Sequence, residues 1–240
     1  MKQLLDRRVL VLIGGYGAGK TQIAIRLALQ RAEEGKRVAL IDLDLVNPYF
    51  RAREIRTFLG NRGVESVCPK GDLALAENPS LPPQIDGALR DLTKTAVLDV
   101  GGDKTGATIL GRYHDLLHKD DVAILQVVNI FRPFSGTIEG VEKLRQEMES
   151  KSRLRVQGWI NNSNLMDWTT LADWQRSGEF MRSLEQTSRI PLAANAVYPV
   201  WARKIGLQWD PEWIPVERYL DLGWKSPGKE SGDGDCEVTQ

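Results

Sequence analysis

Apolar runs and amphipathic stretches alternate along the chain from residue 9 to residue 197. Val9–Ile13 is wholly apolar. Lys20–Glu34 then carries apolar residues at helical spacing and stops at Gly35, a residue suited to the left-handed turn that closes a helix. The same alternation predicts strands at Arg37–Asp44, Val64–Cys68, Thr95–Asp103, Val122–Asn129, Arg155–Asn161 and Ile190–Val197. Between them it predicts helices at Pro48–Leu59, Pro83–Leu92, Thr105–Lys119, Thr137–Ser150 and Thr169–Thr187, with a loop-like segment over 69–82.

Most of these strands read as continuous apolar runs, a pattern that demands cover on both faces. The expected fold is therefore α/β: a three-layer sandwich with a mostly parallel sheet and helices on both sides. Ligands of such sheets bind outside the carboxyl ends of the strands. The residues at those ends are Gly14 onward, Asp42 and Asp44, Asp99 to Asp103, Asn129, and Asn161 with Asn162. No internal repeat and no long linker appears, so residues 1–224 read as one domain. The polar, Gly-rich stretch 225–240 reads as a disordered tail.

Gly14-Gly-Tyr-Gly-Ala-Gly-Lys-Thr21 fits G-x-x-x-x-G-K-[ST] at every fixed position. It lies where the pattern requires, between an apolar strand and an amphipathic helix. Glycines allow successive N–H groups to turn inward around a polyphosphate, and the following helix points its positive end at the same anion. The candidate cradle is Gly15, Tyr16, Gly17, Ala18, Gly19, Lys20, Thr21 and Gln22. Lys20 is placed on the β- and γ-phosphate oxygens, and the Thr21 hydroxyl is placed on Mg²⁺.

The other strand ends supply matching chemistry. Asp99, after Ala96-Val-Leu98, stands where a Walker B aspartate holds the Mg²⁺ shell, and Gly102 lets the backbone approach the γ-phosphate. Asp42 and Asp44 are two residues apart and so share one face of an extended strand. Asp42 is assigned to the metal shell and Asp44 to the attacking water. Asp103 either orients water or caps the next helix. Asn161 and Asn162 are candidates for reading the purine, with backbone capping as the plain alternative. No Asn-Lys-x-Asp occurs, which favours ATP over GTP. Arg51 and Arg53 are set to meet a phosphate, a partner or a carboxylate, or to form an exposed basic face. His114 and His118, four apart, read as surface histidines for want of a third ligand. All seven tryptophans follow residue 158, and Trp201, Trp209, Trp213 and Trp224 are set in core or interface packing, over the nucleotide, or in a docking surface.

Composition narrows the classes. Lys plus Arg and Asp plus Glu are 32 each in 240 residues, so no excess of positive charge points to nucleic acid or a membrane surface. Two distant cysteines, Cys68 and Cys236, suit a reducing compartment and form no CxxC pair. With no signal-peptide pattern and no apolar run of membrane-spanning length, a cytoplasmic protein is expected.

The set Gly14–Thr21, Asp42-x-Asp44, Val97-Leu-Asp-Val-Gly-Gly102 and Asn161-Asn162, spread over roughly residues 8–200, resembles the MinD/ParA and CobQ/CobB-type P-loop ATPases of the SIMIBI class. The resemblance implies a seven- or eight-stranded sheet, Mg²⁺-dependent ATP hydrolysis and often a nucleotide-dependent homodimer. The lysine that partition and division-site members carry early in the loop is replaced here by Gly15. Neither a basic amphipathic C-terminal helix nor a Cys-x-Cys is found. Three readings follow: an ATPase switch acting on an unknown protein client; an ATP-dependent ligase or kinase whose arginines clamp a small acid; and a nucleotide-gated adaptor with negligible turnover.

Overall fold

The computed structural model describes residues 2–44, 53–68, 83–102, 104–208, 210 and 212–219. The apolar runs become strands β1 Val9–Ile13, β2 Arg37–Leu43, β3 Val64–Val67, β4 Lys94–Val100, β5 Val122–Val128, β6 Gly158–Asn161 and β7 Leu192–Val197. A two-residue strand, β8 Ile214–Pro215, joins them at one edge. The helices are α1 Lys2–Leu5, α2 Lys20–Glu33, α3 Arg53–Gly60, α4 Pro83–Arg90, α5 Lys104–Arg112, α6 His114–Leu117, α7 Ile138–Ser152, α8 Leu171–Ser188 and α9 Pro199–Lys204. The strands form one eight-stranded sheet in the order β3-β2-β4-β1-β5-β6-β7-β8, and every paired neighbour is parallel.

Alternate residues of each central strand enter different cores. Val9, Val11 and Ile13 pack with α4, α5, α7 and α8, whereas Leu10 and Leu12 pack with α2, α3 and α9. The sheet is thus covered on both faces, as the apolar runs require. β1 is central, with β4 on one side and β5 on the other. The chain crosses over β1 between β4 and β5, so the topology reverses at the carboxyl end of β1, the place where ligands of such sheets bind.

The elements that depart from expectation do so for tertiary reasons. The helix expected over Thr105–Lys119 breaks at Tyr113 into α5 and α6. Leu110, Tyr113 and Leu117 are all buried, so the apolar stripe continues through the bend and periodicity does not register it. β6 starts at Gly158 rather than Arg155 because the backbone before it is engaged elsewhere: Val156 N–H donates to Glu149 Oε1 at 2.8 Å. The short elements α1, α9 and β8 carry too little pattern to be read locally. Residues 220–240, with the expected tail, Cys236 and Trp224, lie outside the described residues, as do Arg51, Asp103, Trp209 and the segment 69–82.

Candidate functional site

β1 ends at Ile13 and the chain turns through Gly14–Gly19 into α2. Gly19, with φ +90°, occupies the left-handed region immediately before the helix, where any side chain would also collide with the amide of Asn162. Lys20 is 7% exposed, an unusual burial for a lysine, and its Nζ donates to the carbonyls of Gly14 at 3.1 Å and Gly15 at 3.2 Å. The loop therefore encloses a preplaced cation. Thr21, the next residue on α2, donates from Oγ1 to Asp99 Oδ2 at 2.6 Å.

Strand order brings the expected acids together. Asp42 and Asp99 are Cα partners across β2 and β4, and both are 2% exposed. Paired residues of parallel strands point to the same face, here that of α2, because their neighbours Leu40 and Val97 belong to its core. Asp44 follows directly, half-buried, and its N–H donates to Asp42 Oδ1 at 2.8 Å. Burial pushes the Asp99 carboxyl up to about 6; nearby Lys20 and the Thr21 hydroxyl pull it down, and the charge of Asp44 adds to the rise. Gly102, after β4, rests on the loop itself: a Cβ there would stand 2.8 Å from Gly14 O and 2.9 Å from Tyr16 N.

The chemistry of these residues fits a hydrated dication next to an anion. Asp99 Oδ1 is buried and makes no hydrogen bond among the described residues, an arrangement that is costly without a ligand. Asp99, Asp42 and Thr21 offer hard oxygen donors of the kind Mg²⁺ takes, largely through its own water shell.

Beyond β5 and β6 the site is lined by amides. Asn162 Nδ2 donates to Ala18 O at 2.7 Å, and Asn164 Nδ2 donates to Asn162 O at 2.8 Å. Asn129 Nδ2 reaches Asn164 O at 3.3 Å. Asn161 faces the interior, donating to Asn195 Oδ1 at 2.9 Å and Ser177 Oγ at 3.4 Å and accepting from Ser163 N–H. The two asparagines expected to read a purine thus separate. Asn162 holds the loop, and Asn161 joins β6 to β7 and α8.

Several other expectations resolve at the same time. Tyr16 projects its side chain into solvent, 74% exposed, and leaves only its backbone facing the loop. The Gln22 side chain accepts from Tyr219 N–H at 3.0 Å and thereby ties the segment after β8 to α2. Trp201 is a core residue, packed against Trp174 in a cluster that includes Trp213. Arg53 lies on α3, but its side chain is outside the described atoms. His114 and His118 stack in parallel at 5.0 Å, with Asp115 beside them, near the amino end of β5 and thus at the edge of the sheet opposite the loop. Sequence reasoning missed Arg132, in the loop after β5, whose Nε donates to Gly17 O at 3.1 Å. Its position immediately beyond a strand end was the available signal.

The sequence matches no family model and no curated protein. Solved structures of similar fold include chloroplast FtsY from Physcomitrella patens, with a TM-score of 0.55 and 17% identity over 88% of this chain and 62% of that one. FtsY from Mycoplasma mycoides gives 0.52 and 19% over 77% and 57%. The signal recognition particle receptor FtsY from Elizabethkingia anophelis gives 0.51 and 14% over 88% and 62%. This chain spans about three fifths of the length of these structures. At such identities the likeness is one of fold, and the fold is that of the α/β P-loop NTPases.

Proposed function

We propose that the chain binds a purine nucleoside triphosphate with Mg²⁺ in the Gly14–Thr21 loop, hydrolyses it, and uses the difference between the two states to switch a client. The observation that carries this reading is the convergence of buried Lys20, Asp99 and Asp42, with half-buried Thr21, at the end of β1. Lys20 would exchange its loop carbonyls for phosphate oxygens at little reorganisation cost, because it is already fixed inside the loop. Thr21, Asp99 and Asp42 would hold Mg²⁺, whose charge would offset that of the phosphates. Asp44, less buried and anchored by its own N–H to Asp42, is suited to orienting a water for in-line attack. Gly102 lies against Gly14 and Tyr16, so the segment after β4 would register whether the loop is full.

Two observations bear on the base. The lack of Asn-Lys-x-Asp in the sequence supports ATP. A fold neighbour, the Elizabethkingia anophelis FtsY, has been solved in complex with GDP (TM-score 0.50, 15% identity), which supports a guanine nucleotide. The resemblance to MinD/ParA and CobQ/CobB proteins supports the switch reading and an ATP ligand, although Gly15 replaces the lysine used there across a dimer.

Steady-state hydrolysis of ATP and of GTP with Mg²⁺, with Lys20→Ala and Asp44→Ala alongside, tests the proposal. Turnover of one nucleotide, lost in both variants, supports it and decides the base. Tight binding with negligible turnover that no small acid stimulates would favour a nucleotide-gated adaptor. Binding of neither nucleotide overturns the proposal.

A further inference from the structure

The site has two sides, and the fold sets their order. The aspartates that would hold Mg²⁺ come from β2 and β4, on one side of β1, while β5, β6 and β7 lie on the other. A polyphosphate seated in the loop with its metal-bound end toward β4 must direct its nucleoside end toward β5 and β6. Arg132 stands on that second side, and its surroundings hold it in place.

Its backbone N–H closes a turn onto Asn129 O at 3.1 Å, its carbonyl accepts from Ser135 N–H at 3.1 Å, and Pro133 restricts its backbone from the following position. Asn129 is itself buried and tied to Asn164. The arginine thus projects from a braced turn rather than a free loop. Nε donates to Gly17 O at 3.1 Å, and Gly17 Cα lies so close that an added Cβ would sit 3.4 Å from Nε. Asn162 takes the next carbonyl, that of Ala18, from β6. Arg132 therefore joins the turn after β5 to the phosphate loop. It is exposed, and its terminal N–H groups make no further hydrogen bond among the described residues. Among the described residues no carboxylate pairs with it.

We propose that Arg132 is a nucleoside-side binding residue: it fixes Gly17 through Nε and presents its planar face and remaining N–H groups to the ribose and base of the nucleotide. A guanidinium suits this role, since it stacks on an aromatic ring and donates in a fixed plane. The proposal rests on the nucleotide reading of the loop and adds to it which side of the site takes the nucleoside.

The test compares nucleotides with a ligand that has phosphates and no nucleoside. Equilibrium binding of ATP, ADP, GTP, GDP and inorganic tripolyphosphate is measured with Mg²⁺ for the wild type, Arg132→Ala, Arg132→Lys and Lys20→Ala. The ligand-free melting temperature serves as a check of the fold. Arg132→Ala is expected to weaken the preferred triphosphate and its diphosphate about tenfold alike, while tripolyphosphate changes by less than about twofold. Arg132→Lys restores only part of the loss, and the melting temperature of the free protein stays put. Equal loss for nucleotide and tripolyphosphate would reduce Arg132 to a brace of the loop, and no loss for either would make it a surface arginine. Each of these overturns the assignment while leaving the loop reading intact. Failure of the wild type to bind any nucleotide overturns both.

Discussion

On the β2/β4 side of the loop the polar groups are carboxylates, and on the β5/β6 side they are carboxamides. Asp42 and Asp99 are buried side by side, and Asp99 keeps one oxygen without a hydrogen bond among the described residues. Asn129, Asn161, Asn162 and Asn164 are equally buried, yet each places its amide N–H on a carbonyl or hydroxyl oxygen. The first side stores electrostatic cost that a dication would relieve, and the second is already satisfied and stiff. The difference separates a place built to receive charge from a place built to hold a loop still.

That comparison is open to attack at several points. The largest effect is expected at the cation between the two sides: Lys20→Ala should lower kcat/KM by about a hundredfold or more, measured as Mg²⁺-dependent phosphate release. A change confined to KM would mean that Lys20 stabilises ground and transition states equally. Next comes Gly102→Ala, whose methyl group would press on Gly14 O and Tyr16 N. It should cost about 1–3 kcal/mol in thermal or denaturant unfolding and weaken nucleotide binding with it.

Asp99→Asn probes the stored cost directly. The folded carboxyl, at about 6, lies above its ordinary value of 3.8, so the native state binds its proton more tightly than the unfolded chain does. The stabilisation from this group is fully present below that ordinary value and is lost as pH rises through about 6. In the absence of Mg²⁺ and nucleotide, the variant should therefore gain on the wild type by about 1–3 kcal/mol between pH 4 and 7, while losing Mg²⁺-dependent turnover. Parallel melting curves across that range check it, and a constant difference would show that Asp99 is not the titrating group.

On the amide side, Asn162→Ala leaves Ala18 O without its donor and should cost about 1–2 kcal/mol at every pH, a loss independent of protonation that sets it apart from the aspartate. Unfolding at pH 5 and pH 8 distinguishes the two. The smallest effect is expected far from the site. His118→Ala, at the opposite edge of the sheet, should change stability by no more than about 0.5 kcal/mol and leave turnover unaltered.

Much of this arrangement was legible in the chain itself, and the misses share a cause. Val9–Thr21 announced a strand, a phosphate loop and a helix because each of those signals lies within a few residues of the next. Asp42 and Asp99 could be singled out as strand-end acids, although nothing local said that they were neighbours. Asn161 and Asn162 looked equivalent in sequence. Only β7 on one flank and the loop on the other gave them different work. Tyr113 bends a helix without interrupting its apolar stripe, and Arg132 belongs to no motif.

What the sequence determined by itself was therefore the local grammar: apolar runs that require two covered faces, a glycine pattern that turns into a helix, and polar residues placed at strand ends. The tertiary structure decided which strand ends meet. Setting β1 between β4 and β5 joins Thr21 to Asp99 across 78 residues, Gly17 to Arg132 across 115 and Ala18 to Asn162 across 144. Contacts at such separations follow from strand order and sheet register, which no window of local periodicity contains.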